Sequence, residues 1–150
     1  MRRLMQFKIP GFISLVLFFS MFAFINAPAS STHEKEIEWH SYDDGMARGK
    51  FEKKKVFLHF TAEWCYYCGI MEKNTFKDPA IISSLNENFI PIKVDFDREA
   101  ETSDFYHVRG LPDSIFIAED GHIIDHLPGY IPPDVLKYIL KTILSERPIE

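Results

Sequence analysis

The sequence predicts one α/β domain in which a mixed central β-sheet is flanked by helices. Three observations carry this expectation. Helical and strand-like segments alternate over residues 41–144 in the order α-β-α-α-β-α-β-β-α, and such alternation builds a layered domain on a largely parallel sheet. The last two strand-like segments are joined across Glu119-Asp120-Gly121; Asp-Gly is a strong hairpin signal, so this pair should be antiparallel and the sheet mixed. Once an N-terminal targeting segment is set aside, 121 residues remain, enough for one core and too few for two.

The elements follow in order. Ser41 is a suitable N-cap for a helix reaching Lys53, although Gly45 and Gly49 weaken its interior. Lys55 to Thr61 is β-branched and aromatic and has the length of a buried central strand. Trp64 to about Phe76 should be helical. Asp78-Pro79 marks a second helix start, a capping side chain followed by proline at the first helical position. Ile81, Ile82, Leu85 and Phe89 then share one helical face. Phe89 to Phe96 reads as the next strand and Glu99 to His107 as a short helix. Ser114 to Ala118 and His122 to Leu127 form the hairpin. Pro133 to Leu144 closes the domain, with Val135, Leu136, Ile139, Leu140, Ile143 and Leu144 as an apolar stripe.

The N-terminus has a different character. Arg2, Arg3 and Lys8 precede an apolar stretch from Gly11 to Ile25, and Ala27-Pro28-Ala29 supplies small residues around a cut after Ala29. This layout matches a secretory signal peptide over residues 1–29. An uncleaved anchor is the alternative, though the stretch is shorter than the roughly 20 residues of a membrane-crossing helix. Either way the rest is expected to be exported: a flexible leader over 30–36, then a domain over 37–147. Residues 1–29 hold three of the 17 basic residues and none of the 22 acidic ones, so cleavage moves the net charge from −5 to −8. A surface of that sign repels nucleic acid and anionic lipid.

Cys65 and Cys68 are the only cysteines of the chain, directly after the first strand and at the start of a helix. A disulfide closing so short a loop restrains the unfolded chain little, so exported or not, the domain cannot depend on it for stability. Its 15% aromatic content, with 14 Phe, suggests an aromatic core instead. The use of the pair is then chemical. A cysteine at a helix N-terminus lies near unpaired N–H groups that favour thiolate over thiol. Its neighbour one turn on is placed to attack a mixed disulfide. A zinc half-site is the other reading, but zinc takes about four ligands, and only His59 and His107 offer themselves.

A strand running into Trp64-Cys65-Tyr66-Tyr67-Cys68, then Gly110-Leu111-Pro112 before the hairpin, then Gly129 after the last strand, resembles the thioredoxin superfamily over nearly the whole domain. The pattern is most similar to free-standing periplasmic thioredoxin-like proteins and to the C-terminal domain of the thiol:disulfide interchange protein DsbD. The resemblance implies a thioredoxin-like fold with Cys65 as nucleophile and Cys68 as resolving cysteine. It also implies a cis-proline at Pro112, against the general preference of X–Pro bonds for trans, shaping the loop so that backbone near Leu111 pairs with an extended substrate. Gly129 lies beside that surface.

Trp64, Tyr66, Tyr67, Leu111 and Pro112 form an apolar rim suited to docking a polypeptide, unless one tyrosine packs on its own helix. Two positions depart from the family. Asp113 follows the proline where Thr is usual; it could raise the cysteine pKa or select basic partners. His59 stands where a buried Asp is usual. It is a possible proton acceptor for Cys68, because imidazole titrates near neutrality, or a core histidine satisfied by a backbone carbonyl. Lys93 matches the lysine beside that missing acid. His122 and His126 read as surface residues.

The implied function is an exported, periplasmic thiol:disulfide oxidoreductase of the protein-disulfide reductase type. It would be monomeric, without cofactor or metal, and supplied with electrons by a dithiol protein. The alternatives are a module that holds Cu(I) or a client without turnover, since thiolates suit Cu(I), and a disulfide oxidase or isomerase.

Overall fold

A computed structural model describes residues 36–145. The signal segment, the cut after Ala29, all but the last residue of the leader and the last two residues assigned to the domain lie outside them. The elements are α1 (Tyr42–Glu52), β1 (Lys55–Thr61), α2 (Tyr66–Lys73), a 3₁₀ turn (Thr75–Lys77), α3 (Pro79–Asn88), β2 (Phe89–Asp95), α4 (Ala100–Phe105), β3 (Asp113–Ile117), β4 (Ile123–Pro128) and α5 (Pro133–Ser145). Their order is the one the sequence predicts. The sheet runs β2-β1-β3-β4; β1 and β2 are parallel, while β3 is antiparallel to both β1 and β4. Among the described residues, no helix is long and apolar enough to cross a membrane.

The capping signals act as expected. Ser41 accepts a hydrogen bond from the Asp44 amide, and Asp78 accepts from Ala80 and Ile81 with Pro79 at the first position of α3. The glycines that weaken α1 have a packing reason. A Cβ on Gly45 would lie 2.3 Å from Ile92 Cγ1, and one on Gly49 would lie 2.8 Å from Val56 Cγ2. The loss of helix propensity is about 1 kcal/mol per glycine, and the overpacking avoided is worth about 1–3 kcal/mol. Glycine is therefore what lets α1 settle against β1 and β2.

Several boundaries differ from the expectation. The helix predicted through Phe76 ends at Lys73 and continues as the 3₁₀ turn, burying Thr75 and Phe76. Thr75 explains the change, because its hydroxyl donates to the Ile131 carbonyl at 2.7 Å. Phe89 is buried, but it opens β2 and does not extend α3. On α5 the buried line is Leu136, Leu140 and Ile143, whereas Val135 and Leu144 face solvent. His40 pairs with Ile92 through a single parallel bridge beside β2, a contact with no periodicity to announce it.

Strand alternation puts a different core on each side of the sheet. One side holds Phe57, Phe116 and Phe89 with Met71, Phe76, α3 and α5. The other holds Val56, Leu58, Phe60, Ile92, Val94 and Ile115 with Tyr106 and Val108. A third, small cluster of Ala62, Cys65 and Cys68 sits at the end of β1, packed by Phe96 and Leu111.

Candidate active site

β1 ends at Thr61, and a turn closed by the Cys65 amide on the Ala62 carbonyl at 3.1 Å leads into α2. Cys65 is the N-cap of α2, with extended backbone (φ −79°, ψ 103°), and its Sγ accepts from the Cys68 amide at 3.2 Å. The sulfur thus takes the place that a Ser or Asp oxygen occupies in most caps, on one of the helix's otherwise unpartnered donors. Cys65 and Cys68 form a disulfide with Cα atoms 5.3 Å apart. Both cysteines are buried, Cys65 at 7% exposure and Cys68 at 1%, so Cys65 is the less enclosed of the two.

Around it stands an aromatic rim. Trp64 is 66% exposed, Tyr66 75% and Tyr67 58%. Trp64 is held by its indole N–H, which donates to Asp97 Oδ2 at 2.8 Å. The two tyrosine rings meet edge to face, with centroids 5.4 Å apart. They pack on each other and not into the core. Leu111 packs against the cysteine cluster. Pro112 is buried, so it supports the rim from beneath and is not part of its surface. The Leu111–Pro112 peptide is cis. The Pro112 carbonyl accepts from the Gly129 amide at 2.8 Å, and Gly129 has φ +95°, a conformation that excludes most side chains there.

His59 lies in the middle of β1, paired in register with Lys93 on one side and Ser114 on the other. It is fully buried. Its ring lies among Phe76 (4.9 Å between centroids), Trp39 (6.0 Å) and Phe57 (6.3 Å). Nδ1 shares a hydrogen bond with the Ser114 hydroxyl at 3.1 Å, and the Asp113 backbone also acts on the ring, in the sense opposite to burial. Nε2 has no hydrogen-bond partner among the described residues. Burial first, and the nearby Lys93 charge second, push its pKa down to about 3, so the imidazole is neutral throughout the physiological range. Lys93 has exchanged its expected partner for another. Its ammonium meets Glu72 Oε1 at 2.5 Å and lies 4.6 Å over the Trp39 ring.

Asp113 corrects a second expectation. It is almost wholly buried, with Oδ2 2.9 Å from His126 Nε2 and Oδ1 without a hydrogen-bond partner among the described residues. A carboxyl so enclosed cannot select basic partners. Burial raises its pKa, and the His126 contact opposes that rise in part. His126 is a surface residue only by exposure, since one ring nitrogen is committed to this contact.

Trp39, Glu72, Asp97 and His126 were not singled out from sequence as parts of the site. Glu72 carried a usable signal, being four residues beyond Cys68 on the same helical face. Trp39 and Asp97 reach their partners across 20 and 33 residues, and no spacing rule covers such pairs. His126 is a diagonal cross-strand neighbour of Asp113, which the register of the Asp120-Gly121 hairpin could have found. For the zinc reading, no group of three or more His, Cys, Asp or Glu among the described residues is placed to hold a metal ion.

Comparison with known proteins agrees with this geometry. The model of the thioredoxin-like domain family matches residues 42–144. A thioredoxin of Mycoplasmoides gallisepticum is 35% identical over 88 residues, covering 59% of this chain and 83% of that protein. The thiol:disulfide interchange protein DsbD of Vibrio vulnificus is 34% identical over 92 residues, covering 57% of this chain and 15% of the much longer relative. The solution structure of a thioredoxin from Thermus thermophilus superposes with a TM-score of 0.67 at 23% identity, over 73% of this chain and 88% of that one, a likeness of fold.

Proposed function

The chain belongs to the thioredoxin superfamily, and from that premise we propose that it is an exported protein-disulfide reductase working through Cys65 and Cys68. The observation that carries the proposal is the Cys65 Sγ cap on the Cys68 amide. Negative charge on that sulfur is stabilised where the helix presents its N–H groups.

In the reduced protein the Cys65 thiolate attacks one sulfur of a client disulfide. The S–S bond breaks, a mixed disulfide forms, and the first client sulfur leaves as a thiolate that takes up a proton. Cys68 then loses its proton and attacks Cys65 Sγ, releasing the second client thiol and closing the Cys65–Cys68 disulfide, which is the state described above. Two electrons pass to the client. A dithiol donor protein returns them by the reverse exchange, with no cofactor.

Trp64, Tyr66 and Tyr67 supply the client's apolar landing surface. Leu111, beside the cis peptide, supplies the backbone edge that pairs with an extended client segment, and Gly129 holds that edge in place. His59 serves in this reading as a core spacer and not as the base. A proton acceptor of pKa about 3 is mismatched by about five units to an ordinary thiol. Export, with cleavage after Ala29, follows from the N-terminal sequence, and the direction of electron flow from the likeness to the interchange protein.

Cys68→Ala should abolish catalytic reduction of insulin by dithiothreitol and accumulate client proteins covalently held on Cys65 when expressed in the native cell. Wild-type turnover without any trapped protein in the variant would remove protein disulfides as the substrate class.

A further inference from the structure

Asp113 and His126 form a polar pair that the exchange chemistry does not use. The carboxyl lies in the first residue of β3, directly after the cis Leu111–Pro112 peptide, and its histidine partner reaches it from β4. In register Asp113 faces Pro128 and Ile115 faces His126, so the pair is diagonal, within reach of side chains of this size. The other titratable side chains of this buried layer, Tyr42 on α1 and Tyr106 after α4, pair with each other through their hydroxyls at 3.2 Å. That leaves the carboxyl to His126.

Stability does not account for such an arrangement. Burying a carboxyl with one oxygen unpartnered is unfavourable, and buried ion pairs are poor evidence of net stabilisation. Its position is the informative feature. The main-chain bond from Gly129 to the Pro112 carbonyl joins the same two strand ends. The Leu111–Pro112 loop is therefore fastened to β4 twice, once through backbone and once through Asp113 and His126, with Gly110 and Leu111 projecting beyond both ties.

We propose that Asp113 and His126 are positioning residues that hold the Leu111–Pro112 loop against β4, presenting the backbone edge near Leu111 to an incoming client segment. The inference rests on the protein-disulfide function proposed above. It concerns client docking and leaves exchange between the sulfurs untouched.

The test is His126→Ala, a change at a partly exposed position (36% side-chain exposure), compared with His126→Ala combined with Asp113→Asn. Losing the tie should raise KM for insulin about tenfold while kcat stays within about twofold. Exchange of the Gly129 amide, followed by NMR, should accelerate by about the same factor as the loop opens locally. The double variant also lacks the tie, but a neutral amide replaces the buried carboxyl, so both quantities should stay within about threefold of the single variant, whereas a defect caused only by an unpaired buried carboxyl would be relieved. Unchanged KM and unchanged Gly129 exchange in the single variant, or a double variant restored to wild-type values, would overturn the inference. If wild type leaves insulin intact, it is the proposed function that fails, and Gly129 exchange alone still decides whether the tie exists.

Discussion

One side of the sheet beneath the disulfide buries an imidazole and the other a carboxyl, and they do so in opposite ways. His59 on β1 is enclosed by aromatic rings, with a hydroxyl as its hydrogen-bond partner and burial holding it neutral. Asp113 on β3 lies between Phe60 and Pro128 in register, with an ionisable partner that reaches solvent, and burial pulls it toward its protonated form. Their neighbours in register are adjacent residues, Ser114 facing His59 and Asp113 facing Phe60. The same physical penalty on a buried charge therefore acts within one sheet on a base and on an acid, and the two respond to pH with opposite sign.

For His59 the unfolded chain binds a proton below about pH 6.5, while the native protein does not until about pH 3. Stability is fully present above the ordinary imidazole range and is lost as pH falls across that window, by about 1.4 kcal/mol per unit. Asp113 behaves the other way. Its native form keeps a proton that the unfolded chain has released, so its contribution is present in acid and lost as pH rises from 3.8 through the raised native value.

The largest expected effect is that of His59→Leu. Urea unfolding between pH 3 and pH 7 should lose most of its acid slope, a gain of a few kcal/mol near pH 3, with insulin turnover within a few-fold of wild type. A hundredfold fall in turnover, the scale of lost general-base catalysis, would instead make His59 the proton acceptor and erase the distinction between the two sides. Next in size, Asp113→Asn should stabilise the protein by about 1–2 kcal/mol at pH 7 and change little at pH 3. A variant less stable than wild type at pH 7 would mean that the Asp113–His126 pair is itself stabilising. The smallest effect belongs to Lys93→Met. Removing its charge raises the native proton affinity of His59, so the acid midpoint should move to lower pH by less than about one unit. Loss of the half-exposed Glu72 pair should change stability at pH 7 by at most about 1 kcal/mol. A midpoint moving to higher pH would show that Glu72 and Trp39, not His59, are what Lys93 serves.

Much of the molecule was legible residue by residue because short-range rules govern it. The Asp78-Pro79 cap, the β1 apolar run and the Asp120-Gly121 hairpin each express a preference spanning a few residues, and each element stands where those preferences place it. The cysteine pair was legible for the same reason, since two sulfurs one turn apart at a helix start have few other uses. The end of α2 was not legible. It is set by the Thr75 hydroxyl on Ile131, 56 residues away, and no periodicity encodes such a partner. Nor was the exposure of Val135 and Leu144 on an otherwise apolar stripe, which depends on how far α3 and β4 extend over α5.

Chain chemistry alone settles which groups can exchange disulfides here, because helix polarity and the spacing of two cysteines are local properties. It also settles the order of strands and helices, through hydrophobic period and turn preference. The fates of His59 and Asp113 were decided only on folding. A side chain's charge state depends on what surrounds it once water has gone, and these surroundings are assembled from Trp39, Phe76, Lys93 and His126, segments that meet nowhere but in three dimensions.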